Sequence, residues 1–154
     1  LLEGSILAYK NASSTYKETK IKTAGQGQLI VMLYDEAVKQ LTKAIEFLEL
    51  NKSDKKDPGR IEHINKAVMK TEEILTELMV SLDFEQGGEI SKNLFSLYTW
   101  FNRELVEANI SQDVSRMLAV RNMLSELRNT WSAVASQTPA EQPGREAVGL
   151  NIAG

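Results

Sequence analysis

The chain has no cysteine and only one histidine in its 154 residues. The first absence excludes a disulfide scaffold and any cysteine-based metal or redox centre. The second removes most histidine chemistry. A di-iron or di-manganese site in a helical bundle needs inward glutamates with Glu-x-x-His pairs, and His63 has no glutamate three residues before it. A Ser–His acyl-transfer site would also have to use His63, and no nucleophile motif surrounds it. A glycine-rich phosphate loop is missing as well. No apolar run approaches bilayer length, and residues 1–14 lack the basic start and apolar block of a signal peptide. Nor is there an excess of positive charge. Eighteen Lys and Arg against 21 Asp and Glu leave a net charge of −3, with the two signs interspersed. Nucleic-acid binders need a clustered positive field to replace counterions. The expectations are therefore no enzyme, no metal, no cofactor, no nucleic acid and no membrane insertion. The lack of cysteine is compatible with a reducing cytoplasm.

What the chain does have is helical periodicity. A hydrophobic content of 42% is enough for the core of one domain. Helix 1 is predicted from near Gly25 to about Leu50, with Thr23 as N-cap and a core face of Ile30, Leu33, Tyr34, Ala37, Leu41, Ala44, Ile45 and Leu48. The charged stretch NKSDKKD, residues 51–57, reads as a loop. Asp57-Pro58 then supplies a cap followed by proline at the first helical position. Helix 2 runs to about Leu82 on the stripe Ile61, Ile64, Val68, Thr71, Leu75, Leu78 and Leu82. FEQGG, residues 84–88, is a breaker. Helix 3 follows on Ile90, Leu94, Leu97, Phe101, Leu105 and Ala108. NISQD turns the chain, with Ser111 a candidate cap. Helix 4 runs to about Ala135 on Met117, Val120, Leu124, Leu127, Trp131 and Val134.

Short links between amphipathic helices imply an all-α, antiparallel four-helix bundle over residues 23–135. Residues 1–22 form an irregular N-terminal segment, and residues 136–154, rich in Pro, Gly and Ala, form a flexible tail. An internal echo links helices 1 and 3: Leu33-Tyr34, Leu41 and Ala44 recur at the same spacing as Leu97-Tyr98, Leu105 and Ala108.

Helix 3 carries more apolar groups than a core stripe needs. At about 100° per residue, Phe95 and Val106 fall on its back, with Asn102 between them and Tyr98 at the shoulder, while Trp100 leaves the stripe on the other side. Val114 and Leu118 stray from the stripe of helix 4, and Leu29, Met32 and Phe47 from that of helix 1. A bundle that only folds needs one stripe per helix; one that receives a partner helix needs apolar grooves outside. The ordinary reading is scattered surface apolar residues, or groups that bury against the N-terminal segment or a second copy of the chain. One enzymatic pattern survives: His63-Ile64-Asn65-Lys66 has the His-x-x-Lys spacing of histidine phosphotransfer domains. A solvated histidine in the first turns of helix 2 is the favoured reading, because Ala67 stands where such domains place glycine and the match is only two residues.

KTAGQGQLIVMLYDEAVKQLTKA at residues 22–44, GGEISKNLFSLYTWFNRELVEANISQD at 87–113 and LRNTW at 127–131 together resemble the flagellar secretion chaperone family FliS over residues 16–135. Where that family commonly has a proline soon after Thr-Ala, this chain has Gly25-Gln26-Gly27. The tail ending GLNIAG lies beyond the family's core. The resemblance implies a cytoplasmic, non-catalytic helical protein that binds the C-terminal segment of flagellin. That segment is disordered in the monomer and helical in the filament, and covering it prevents premature polymerisation. An export-gate component or a co-chaperone is implied as a further partner. On this reading the partner-binding residues are Leu29 and Met32 on helix 1, Phe95, Tyr98, Asn102, Val106 and Asn109 on helix 3, and Val114 and Leu118 on helix 4. Tyr16 and Ile21 are candidates for a self-cap that flagellin displaces, and Leu150 and Ile152 for partial occupants of the same groove. The expected state is a monomer or weak dimer.

Overall fold

The computed structural model describes residues 26–53 and 57–137. Four helices fill them: α1 (Gln26–Ser53), α2 (Pro58–Val80), α3 (Phe84–Ser111) and α4 (Val114–Gln137). Each packs against two neighbours. α1 lies between α2 and α4, and α3 closes the ring on the opposite side. Cross-helix ties run in opposite directions: Arg128 Nε donates to Asp35 at 2.7 Å and Arg121 Nη1 to Thr42 at 3.4 Å. As residue numbers rise on α1 they fall on α4, so the bundle is antiparallel, as the periodicity predicts.

The helix boundaries follow local chemistry. Asp57 caps α2 by accepting from the Gly59 N–H at 2.9 Å, with Pro58 in the first turn. α1 runs to Ser53, beyond the predicted Leu50, because Asn51 is a buried tie rather than part of a solvated loop. Its Oδ1 accepts from the Asp57 N–H at 3.3 Å and from Arg60 at 3.4 Å. At the other end of α1, a Cβ on Gly27 would stand 3.1 Å from Ala135 Cβ. The glycine that replaces the family's proline region thus lets the end of α4 approach closely. The candidate cap Thr23 lies outside the described residues.

Two turns differ from expectation. FEQGG is not a plain breaker. Phe84 opens α3, capped by Asp83 Oδ1, which accepts from the N–H groups of Glu85 (3.0 Å) and Gln86 (3.1 Å). The break comes at Gly88, whose φ of 51° and ψ of −124° is a conformation essentially reserved for glycine. Ser111 is the last residue of α3, not the cap of α4. Gln112 turns left-handed (φ 52°, ψ 48°), and Asp113 Oδ1 caps α4 through the Arg116 N–H at 3.1 Å. That hydrogen bond, with one from Ser115, holds the Asp113 carboxyl below the usual carboxylate range.

The core is a continuous column that includes Tyr34, Leu41 and Leu48 from α1, Ile74, Leu75 and Leu78 from α2, Phe101 and Leu105 from α3, and Met117, Leu124 and Trp131 from α4. The stripe of α3 is rolled relative to the predicted one. Ile90 is exposed and Leu97 half-buried, whereas Tyr98 is 1% exposed. A tyrosine can take that place because its hydroxyl meets a partner, the hydroxyl of Tyr34 on the diagonal helix. Burial pushes both phenols up, Tyr98 to about 12. The echo between helices 1 and 3 therefore has a physical counterpart. Its two tyrosines meet across the core, and its Leu41/Leu105 and Ala44/Ala108 pairs are all fully buried.

Candidate functional site

The outer seam between α2 and α3 is set by one cross-helix hydrogen bond, from Asn109 Nδ2 to Asn65 Oδ1 at 2.9 Å. From that tie the two antiparallel helices can be stepped together. Positions 69, 72, 76 and 80 stay within a narrow arc of α2, and 106, 102, 99 and 95 within a matching arc of α3. On α2 Met69 and Val80 are exposed at 46% and 64%, and on α3 Phe95 and Val106 at 43% and 44%. Thr76 Oγ1 donates to the Glu72 carbonyl at 3.0 Å and Thr99 Oγ1 to the Phe95 carbonyl at 2.8 Å. Both hydroxyls are used on their own helix, so the seam is more apolar than its letters indicate. At one end the Phe84 ring stands edge-on to Phe95, 5.9 Å away at 65°. The Gly88 break allows the first turn of α3 to hold it there.

Two polar features interrupt this surface. Asn102 is half-buried, and its Oδ1 is buried with no hydrogen-bond partner among the described residues. On α2, Glu72 stands two helical turns from Asn65, as Asn102 on α3 stands two turns from Asn109. Partial burial, then the charge of Glu73, raises the Glu72 carboxyl above its ordinary value. Glu73 is also raised by burial, against an opposing effect of Lys70.

The other residues singled out in the sequence fall elsewhere. Tyr98 belongs to the core, not to a shoulder of the groove, because its hydroxyl is bonded inside. Leu29 is 5% exposed, buried where an external position was expected, since the arc of α1 covered by neighbours is wider than its central stripe. Met32 is half-buried on α1, outside the two helices that carry the Asn65–Asn109 tie. Val114 and Leu118 lie on the side of α4 that meets α1, in line with Arg121. Val114 lines an open groove there with Glu46, Glu49, Leu50, Lys52 and Ser53. Phe95, Asn102, Val106 and Asn109 thus come together, while Val114 and Leu118 form part of a different surface. Tyr16, Ile21, Leu150 and Ile152 lie outside the described residues. The exposed apolar groups near Phe95 also include Phe84, whose place depends on the capped first turn of α3.

The exposed His63 ring stacks flat on Phe47 at 5.0 Å and 13°, a packing contact for one of its faces. Among the described residues no group of acidic or histidine side chains could hold a metal ion, and no helix is long and apolar enough to cross a membrane.

Residues 9–138 match the family model "Flagellar protein FliS". Three relatives carry the name flagellar secretion chaperone FliS. The Escherichia coli protein is 32% identical over 74% of this chain and 79% of its own length. The Salmonella typhimurium protein is 31% identical over 81% and 87%. The Bacillus subtilis protein is 25% identical over 90% and 96%. With the family model matched over residues 9–138 and relatives above 30% identity, this chain belongs to the FliS family.

Proposed function

We propose that this chain is a non-catalytic flagellar secretion chaperone that holds the C-terminal segment of flagellin as helix in the outer α2–α3 groove. The relatives' names support the chaperone role, and one observation carries the choice of surface. Phe95 and Val106 share a line on the back of α3 and stay nearly half-exposed although the core beneath is complete. Full burial of such a side chain is worth roughly 1.5–3 kcal/mol. Four half-exposed ones, Met69, Val80, Phe95 and Val106, would together supply about half of four such terms, roughly 3–6 kcal/mol. Ordering a disordered segment costs about 2–5 kcal/mol, so the groove is of a size to hold a client that is folded only while bound. The same burial hides the segment's apolar face and blocks polymerisation.

The reading places the chain in the cytoplasm, with a self-cap of Tyr16 and Ile21 over the groove and an export-gate component or co-chaperone as later partner. Calorimetric titration with full-length flagellin should show binding that disappears when the C-terminal segment is deleted. Equal binding of both forms would remove the proposal.

A further inference from the structure

The first turn of α3 is folded back on the rest of the helix. Phe84 and Phe95 are eleven residues apart. On a continuous helix they would share a line but stand about 16.5 Å apart along the axis, at a rise of about 1.5 Å per residue. Their ring centres are 5.9 Å apart. A second contact spans the same break. Ser91 Oγ donates to the Asp83 carbonyl at 2.9 Å, although a continuous helix would hold residues eight apart about 12 Å from each other along the axis. Gly88 makes the fold possible through its φ of 51° and ψ of −124°. The turn is also tied down. The Asp83 carbonyl accepts from the Gly87 N–H at 2.8 Å as well, Asp83 Oδ1 holds the N–H groups of Glu85 and Gln86, and Gly87 and Ser91 are buried.

Starting a helix does not require this. α2 and α4 begin on a capping aspartate, Asp57 and Asp113, with no glycine-only residue behind it. What the folded turn delivers is a second exposed ring beside the first. Phe84 and Phe95 remain 46% and 43% exposed, edge to face at 65°. Side chains fixed before a partner arrives lose little freedom on binding, and aromatic anchors of this kind carry much of the energy of an interface.

We propose that Gly88 is a positioning residue for flagellin binding: by folding Phe84 onto Phe95 it makes the two rings one preformed anchor for a large apolar side chain of the bound segment. This rests on the reading that flagellin lies along the back of α3, and it adds the anchor at the N-terminal end of that helix.

The test is a set of titrations with the flagellin C-terminal segment as probe, with urea midpoints taken on the same samples. Phe84→Ala should bind at least about tenfold more weakly, the scale of one lost anchor ring, with its midpoint nearly unchanged. A Cβ on Gly88 would meet nothing within 4 Å among the described residues, so Gly88→Ala acts through the backbone alone. It should weaken binding by a similar factor and add no further loss in the Phe84→Ala background. D-alanine placed at position 88 by chemical ligation fits this backbone conformation, which favours residues of opposite hand, and should restore native binding. Native-strength binding by Phe84→Ala, additive losses for the two changes, or D-alanine as weak as L-alanine overturns the anchor and leaves the chaperone reading standing. The Phe84→Ala and D-alanine arms decide the matter even if Gly88→Ala fails to fold. No binding of the segment by the native chain removes the reading beneath it as well.

Discussion

α1 and α3 sit diagonally in the same bundle, share an internal echo and are equally long, yet they treat their surfaces differently. α1 is covered on a wide arc: Leu29, Ile30, Val31, Leu33 and Tyr34 are all buried in one run. Its seam with α4 carries polar ties from Arg121 and Arg128 and opens into a groove near Val114. α3 is covered on a narrow stripe, broken at Gly88, and leaves Phe95, Val106 and Ile110 open. α1 buries most of its apolar side chains, Leu50 apart. α3 leaves a larger share outside, where folding does not use it, and on the proposed function that share is what a partner binds.

The largest expected effect tests the difference directly. Leu41→Ala on α1 removes a fully buried side chain and should lower stability by about 2–5 kcal/mol in urea denaturation. Phe95→Ala on α3 should cost less than about 1 kcal/mol, in the range of surface changes. Similar losses for the two would mean that the back of α3 is core. Next comes the tyrosine pair that joins the two helices. Tyr98→Phe leaves the Tyr34 hydroxyl without its partner on α3 and should cost about 1–3 kcal/mol. The double change Tyr34→Phe/Tyr98→Phe should cost less than the sum of the singles; strict additivity would break the pairing.

Much of this was legible in the residues, and the exceptions have physical causes. The bundle, the Asp57-Pro58 start of α2 and the stripe of α4 follow from period and cap chemistry, which are local. Tyr98 was misplaced because its burial depends on a hydroxyl 64 residues away, and no local rule carries that. Leu29 was misplaced because a stripe shows the centre of a buried face and not its width. The exposure of Phe95 and Val106 was legible, since they share a line with Asn102 off the core stripe of one helix, but the Asn65–Asn109 tie that joins α2 to α3 was not. Val114 and Leu118 show the converse, since off-stripe position does not say which neighbour a residue faces.

Smaller effects sharpen the comparison at its edges. Asp83→Ala removes the cap that holds the first turn of α3 and Phe84 against Phe95. It should cost about 1 kcal/mol and loosen that end of the groove, seen as faster amide exchange at Glu85 and Gln86. Arg128→Ala, which breaks a partly exposed pair with Asp35, should cost less than about 1 kcal/mol. The smallest effect concerns pH. The Glu72 carboxyl is raised in the folded chain, so the fold binds its proton more tightly than the unfolded chain does. Stability from this group therefore falls as pH rises from its ordinary value through the raised one. Glu72→Gln should flatten that part of the profile and leave the rest unchanged.

The central claim is that apolar side chains on the outside of α3 are held for a partner. Its most direct test is one pair of titrations, the native chain and Val106→Asp, each against the flagellin C-terminal segment, with urea midpoints recorded on the same samples. The account predicts at least tenfold weaker binding by the variant with an unchanged midpoint. Undiminished binding, or a midpoint that drops as a core substitution would make it drop, would contradict it.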